Sequence, residues 1–175
     1  DRIQRVSCVP VAVAGSAKPS ADTWDTVPDR HRAFFGGFRS LRKAELHIHL
    51  EGSISASTLV GISRQGSSRF ANVAAVRERR ELLPGRGGFL DFYRDVCREL
   101  RNPRDYARVA RDVTRRLHRE GILHAEVYVS PVLVERIGLE WGGVRDAVES
   151  VFAAHERLGR GRIVVLLDTV RQWGP

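Results

Sequence analysis

Between Glu45 and Glu51 the chain reads Glu45-Leu46-His47-Ile48-His49-Leu50-Glu51, an alternation of ionisable and apolar residues. Alternation of period two predicts a β-strand, in which side chains i and i+2 share a face. Leu46, Ile48 and Leu50 are then expected to face a layer of helices, with Glu45, His47, His49 and Glu51 in a row on the other side. Two imidazoles between two carboxyl groups on an inward face need partners, because buried polar groups are costly when unpaired. A divalent metal is such a partner. Histidines two residues apart on a strand can bring their ring nitrogens to one ion at about 2.0–2.1 Å. His47 and His49 are therefore the candidate metal ligands.

The elements that must position this row follow it in the chain. Ser55 or Ser57 can cap a short helix running to about Gln65, where Gly66-Ser67-Ser68 breaks it. A charged segment from Phe70 to Leu83 is expected to be helical. Phe89, Phe92, Tyr93, Val96, Cys97 and Leu100 recur at helical spacing, and this aromatic stripe is read as core, with Phe89 and Phe92 as alternative lid candidates. Asn102-Pro103 opens a helix with Tyr106, Val109, Ala110, Val113 and Leu117 on its buried face, and Gly121 ends it. Residues 122–130 read as a second strand closed by Pro131, with His124, Glu126, Tyr128 and Ser130 on one face. A helix over 143–158 and an apolar third strand over 162–169 complete the pattern, the latter expected to be covered on both sides. Asp168 and Arg171 fall at its carboxyl end. Strand–helix alternation of this kind predicts an α/β fold with a parallel sheet. His118 is expected to be a solvated helix residue and His155 a packed core histidine. His124 lies at the wrong end of its strand to meet His47 and His49.

The string Lys43-Ala44-Glu45-Leu46-His47-Ile48-His49-Leu50-Glu51-Gly52-Ser53 resembles the first barrel strand of the adenosine deaminase family, zinc-dependent aminohydrolases of purines. The resemblance covers about residues 41–175. It implies a (β/α)8 TIM barrel, represented here by about its first three strand–helix units with inserted helices after strand one. It also implies a Zn2+ cofactor held by His47 and His49, with substrate contacts from Glu51 and from His49 itself. Active sites in such barrels lie at the carboxyl ends of the strands, which adds Ser130 to the substrate-binding candidates and brings Tyr128 nearer the chemistry than His124. Two departures bear on the substrate. Glu51 stands where the family usually has aspartate, and Tyr128 where arginine is common. Substrates other than adenosine, such as adenine or aminodeoxyfutalosine, fit the resemblance equally well.

A full TIM barrel needs about 250 residues, and this chain has 175, without methionine. Residues 1–40, rich in Ala, Ser, Pro, Asp and Arg, read as an irregular extension, and 41–175 as the amino-terminal part of a barrel. The expectation is a fragment. The family's third histidine, catalytic glutamate, orienting histidine and final aspartate come from later strands, so no catalytic residue is assigned and the chain alone is expected to be inactive.

The net charge of +8 rests on arginine, since Lys18 and Lys43 are the only lysines. Along 104–120 the arginines interleave with acids, the pattern of a solvated helical face and not of a nucleic-acid binder. No apolar run approaches the ~20 residues that span a bilayer. Cys8 and Cys97 form no CxxC motif and fit a reducing, cytoplasmic setting. The expected partner is thus a small purine nucleoside or base, with neither nucleic acid nor membrane, and the residues do not specify an oligomeric state. Two alternatives of other classes are a zinc-binding remnant without activity and, less well supported, a basic nucleic-acid-binding protein.

Overall fold

Three parallel strands stand side by side in the order β1-β2-β3, with helical chain connecting β1 to β2 and β2 to β3. These are β1 (Lys43–His49), β2 (Ile122–Val129) and β3 (Arg162–Leu167). In this computed structural model the described residues are 37, 41–63, 70–81 and 88–169. The extension expected over 1–40 lies outside them except for Gly37. The described residues from 41 onward belong to one compact unit. The helices are α1 (Ala56–Ile62), α2 (Val73–Glu81), α3 (Gly88–Glu99), α4 (Pro103–Arg119), α5 (Pro131–Arg136) and α6 (Trp141–Arg157).

Local chemistry accounts for the helix ends. Ser55 caps α1, its Oγ accepting from the Thr58 amide at 3.2 Å. Asn102 caps α4, accepting from the Asp105 amide at 3.1 Å, and Pro103 occupies the first turn, where no amide is needed. Gly121, at φ 69°, takes the left-handed conformation that turns α4 into β2. Two elements differ from expectation. The Glu140 carboxylate accepts from the amides of Gly142 and Gly143 at 2.8 and 3.0 Å, so α6 starts at Trp141, ahead of the expected 143. Pro131 opens the short helix α5 and is not merely the stop of β2, as its fixed φ suits a first helical turn.

The core lies between the sheet and its helices. Val127 and Val129 of β2 pack with Tyr106, Val109 and Val113 of α4 and with Val144, Val148 and Phe152 of α6. Burying one such valine or phenylalanine contributes about 1.5–3 kcal/mol. Cys97 is a free, buried cysteine, whereas Cys8 lies outside the described residues. His155 is buried as expected, and His118 exposed. β3 corrects its expectation: only Ile163 is buried, while Leu167 is 59% exposed. As an edge strand, β3 has a second described strand on one side only.

The alternation within β1 also needs correction. Glu45 aligns with Ala125 and His49 with Tyr128, so one more residue of β1 than of β2 fits between those pairs. This bulge breaks the period. Glu45 aligns with Ala125, a residue of the helix-facing row, and lines a recess of about 270 Å3 against α4 together with His47, Val113, Arg116 and Leu117. It therefore leaves the row of His49. Leu46, next to the bulge, is 54% exposed, while Ile48 and Leu50 enter the core as expected.

Candidate metal and substrate site

Main-chain hydrogen bonds bring the carboxyl ends of the three strands together. The Leu50 amide donates to the Tyr128 carbonyl at 3.0 Å, and the Asp168 amide donates to the Val129 carbonyl at 3.2 Å. Glu51, Ser130 and Asp168 therefore leave their strands at the same end of the sheet. The stretch after His49 is held from below by α4. Asp112 accepts from the Ser55 amide at 2.7 Å, and Arg116 donates to the Ser53 carbonyl. Arg80 of α2 donates to the Ile54 carbonyl.

The two histidines meet. His47 Nε2 and His49 Nε2 are 3.2 Å apart, with ring centroids at 5.0 Å. Two nitrogens bound to one tetrahedral zinc at the usual distance are separated by about 3.3 Å. The pair thus fits two corners of a tetrahedral ion. Without an ion, one ring donates a hydrogen bond to the other. Tyr128 on the neighbouring strand lies against both rings, at 4.6 Å from His47 and 5.6 Å from His49. Among the described residues no cluster of three or more His, Cys, Asp or Glu side chains suits a metal ion. His124 instead faces Glu126 at 3.8 Å, away from the pair.

Glu51 stands in a short 3-10 turn (Glu51–Ser53) and is fully buried. Tyr93 of α3 donates its hydroxyl to Glu51 Oε2 at 2.9 Å, while Oε1 has no partner. Burial raises the pKa of Glu51 to about 7; its own main-chain amide and Tyr93 oppose the rise, and the nearby Asp168 carboxylate adds to it. The same burial pushes the Tyr93 and Cys97 hydroxyl and thiol well above their ordinary values, so both stay neutral. Ser130 is fully buried, and its Oγ has no partner either. Asp168 Oδ2 lies 3.5 Å from His49 Nδ1, and its Oδ1 is buried and unpartnered. Three oxygens without partners, on Glu51, Ser130 and Asp168, thus sit at one end of the sheet.

The sequence reading brought His47, His49, Glu51 and Ser130 to this end, and the structure places all four there. It missed Tyr93, which the aromatic stripe had assigned to the core. The signal was present in the hydroxyl, because a buried tyrosine generally seeks a hydrogen-bond partner. Asp168 was placed at the end of its strand without a role. The side chain of Phe89 lies outside the described residues.

Residues 42–171 match the adenosine deaminase family. The chain belongs to that family. An adenine deaminase of Rhodopseudomonas palustris is 26% identical over 151 residues, which cover 77% of this chain and 44% of that protein. An aminodeoxyfutalosine deaminase of Streptomyces coelicolor is 29% identical over 131 residues, 74% of this chain and 33% of its own length. A crystal structure of an amidohydrolase of Burkholderia ambifaria with bound zinc superposes with a TM-score of 0.65 at 25% identity, covering 85% of this chain and 40% of that one. The fold of this deaminase-family chain is accordingly that of TIM-barrel amidohydrolases, over part of the barrel. It spans less than half the length of these relatives. Among the described residues no helix is long and apolar enough to cross a membrane.

Proposed function

We propose that this chain is the amino-terminal part, over 41–175, of a zinc-dependent enzyme that hydrolyses the 6-amino group of an adenine-containing nucleoside or base to the oxo compound and ammonia. The observation that carries the reading is the 3.2 Å separation of His47 Nε2 and His49 Nε2 at the carboxyl end of β1. Family membership and the zinc-bound relative support it.

In this reading His47 and His49 hold Zn2+. Zinc held there supplies Lewis acidity that makes water nucleophilic near neutral pH. Glu51 presents Oε1 to a polar group of the substrate and is kept in place by Tyr93. Its pKa of about 7 lets it accept or donate a hydrogen bond near neutrality. Ser130 Oγ offers a second contact at the end of β2. The Tyr128 ring lies against both histidines, and the Tyr93 ring against His49.

A catalytic zinc takes three protein ligands, and the described residues supply two histidines with no three-membered cluster. The third ligand and the groups that move protons then come from residues outside those described. The same observation favours a second reading, a zinc-binding remnant without activity. The decisive experiment is ammonia release from adenine, adenosine and aminodeoxyfutalosine by the full-length protein, with and without added zinc. Zinc-dependent release that disappears in H49A supports the reading. No release from any of the three by zinc-loaded protein would leave the remnant.

A further inference from the structure

Asp168 sits one residue beyond β3, two strands away from His49. Neighbouring strands are about 4.8 Å apart, so the two main chains are separated by roughly twice that distance, yet the side chains approach to 3.5 Å between Oδ2 and Nδ1. The geometry between them makes this possible. His49 aligns with Tyr128, and Tyr128 with Leu166, so Asp168 stands one step beyond that row, on the same face. The Tyr128 ring lies at 32° to the His49 ring, with the centroids 5.6 Å apart. The Asp168 amide, donating to Val129, fixes where its side chain starts.

The approach is selective in its atoms. Asp168 meets Nδ1 of His49, while Nε2 of the same ring faces His47. A carboxylate accepts and does not donate, so it favours the ring form that carries its proton on Nδ1. That form leaves a lone pair on Nε2, directed at the position a metal would share with His47. We propose that Asp168 is a positioning residue for the metal site: it holds His49 in the Nδ1–H form and fixes the plane of its ring. The proposal rests on the zinc reading above for its purpose, but not for its geometry. In the metal-free protein it also sets the direction of the histidine pair, with His47 Nε2–H donating to His49 Nε2. Carboxylate partners of metal-bound histidines are a general device for orienting the ring.

The test uses full-length protein labelled with 15N-histidine, in wild-type, D168A and D168N forms, with His49 assigned from the H49Q spectrum. At mildly alkaline pH and without metal, wild-type His49 is expected to carry its proton on Nδ1, and D168A to shift it towards Nε2. Zinc affinity, measured by competition with a chelating dye, is expected to fall by about 10–100-fold in D168A. D168N keeps an acceptor of the same shape without the charge, so it is expected to retain the Nδ1–H signal and lose less affinity. If D168A does not fold, D168S, whose side chain is too short to reach Nδ1, takes its place, and a retained Nδ1–H form in folded D168S overturns the proposal. An unchanged His49 tautomer together with unchanged zinc affinity in D168A also overturns it. Wild-type protein that binds no zinc removes the metal reading, while the tautomer comparison still decides whether Asp168 orients His49.

Discussion

Tyr93 on α3 donates to Glu51 at the end of β1, joining residues 42 positions apart through a bond of 2.9 Å in a buried site. The other oxygen of that carboxyl group, Oε1, is buried and has no partner among the described residues. Y93F removes that donor and leaves a second buried acceptor on Glu51. The expected cost is about 1–3 kcal/mol of stability, read from urea unfolding. If Glu51 contacts the substrate, KM should rise more than kcat falls. An unchanged unfolding midpoint would mean that water replaces the hydroxyl.

Stability should depend on pH through Glu51. Its folded pKa of about 7 lies above the ordinary 4.5, so between those values the folded state holds the proton more tightly than the unfolded chain. Stability from this group is therefore full below about pH 4.5, declines as pH rises towards 7, and stays lost above it. The shift corresponds to roughly 3 kcal/mol. E51Q, which cannot ionise, should remove this slope in metal-free protein, as measured by unfolding at a series of pH values. A slope that survives the substitution would place its origin elsewhere.

Zinc binding should need both histidines. H47A or H49A each leaves one of the two proposed ligands, so zinc should be lost at concentrations that saturate the wild type, as read by metal analysis after gel filtration. H124A lies outside the pair and should leave zinc content unchanged. Equal zinc loss in H124A would contradict the geometry of the site.

Gly161 should tolerate no side chain. Its φ is 112°, and a Cβ there would come within 2.7 Å of the Leu123 carbonyl oxygen. The strained backbone alone costs about 1–3 kcal/mol in a residue other than glycine, and the clash adds to it. G161A should lower the melting temperature clearly, whereas G159A, at φ 66° with open space around it, should be milder.

What could be read in the sequence was local. His47 and His49 meet because they are two residues apart on one strand, and Ser130 follows from where β2 ends. Helix α4 announced itself through Asn102, Pro103 and Gly121. The bulge in β1 was not legible, because it depends on how many residues of β2 stand opposite, and it carried Glu45 to the other face. Tyr93 and Asp168 were visible as residues but not as partners. Their contacts cross 42 and 119 positions of chain, and no periodicity within one element specifies such a pairing.

Among the described residues β1 and β3 each pair only with β2, so each has an outer main-chain rail that faces no other described strand. Such rails accept further strands wherever those are supplied. On the proposed reading, a separately made polypeptide carrying further strands of the barrel would dock against one of these rails and bring its own side chains to His47 and His49. Activity restored by mixing two inactive pieces, growing with the concentration of the second, would be the signature of that assembly.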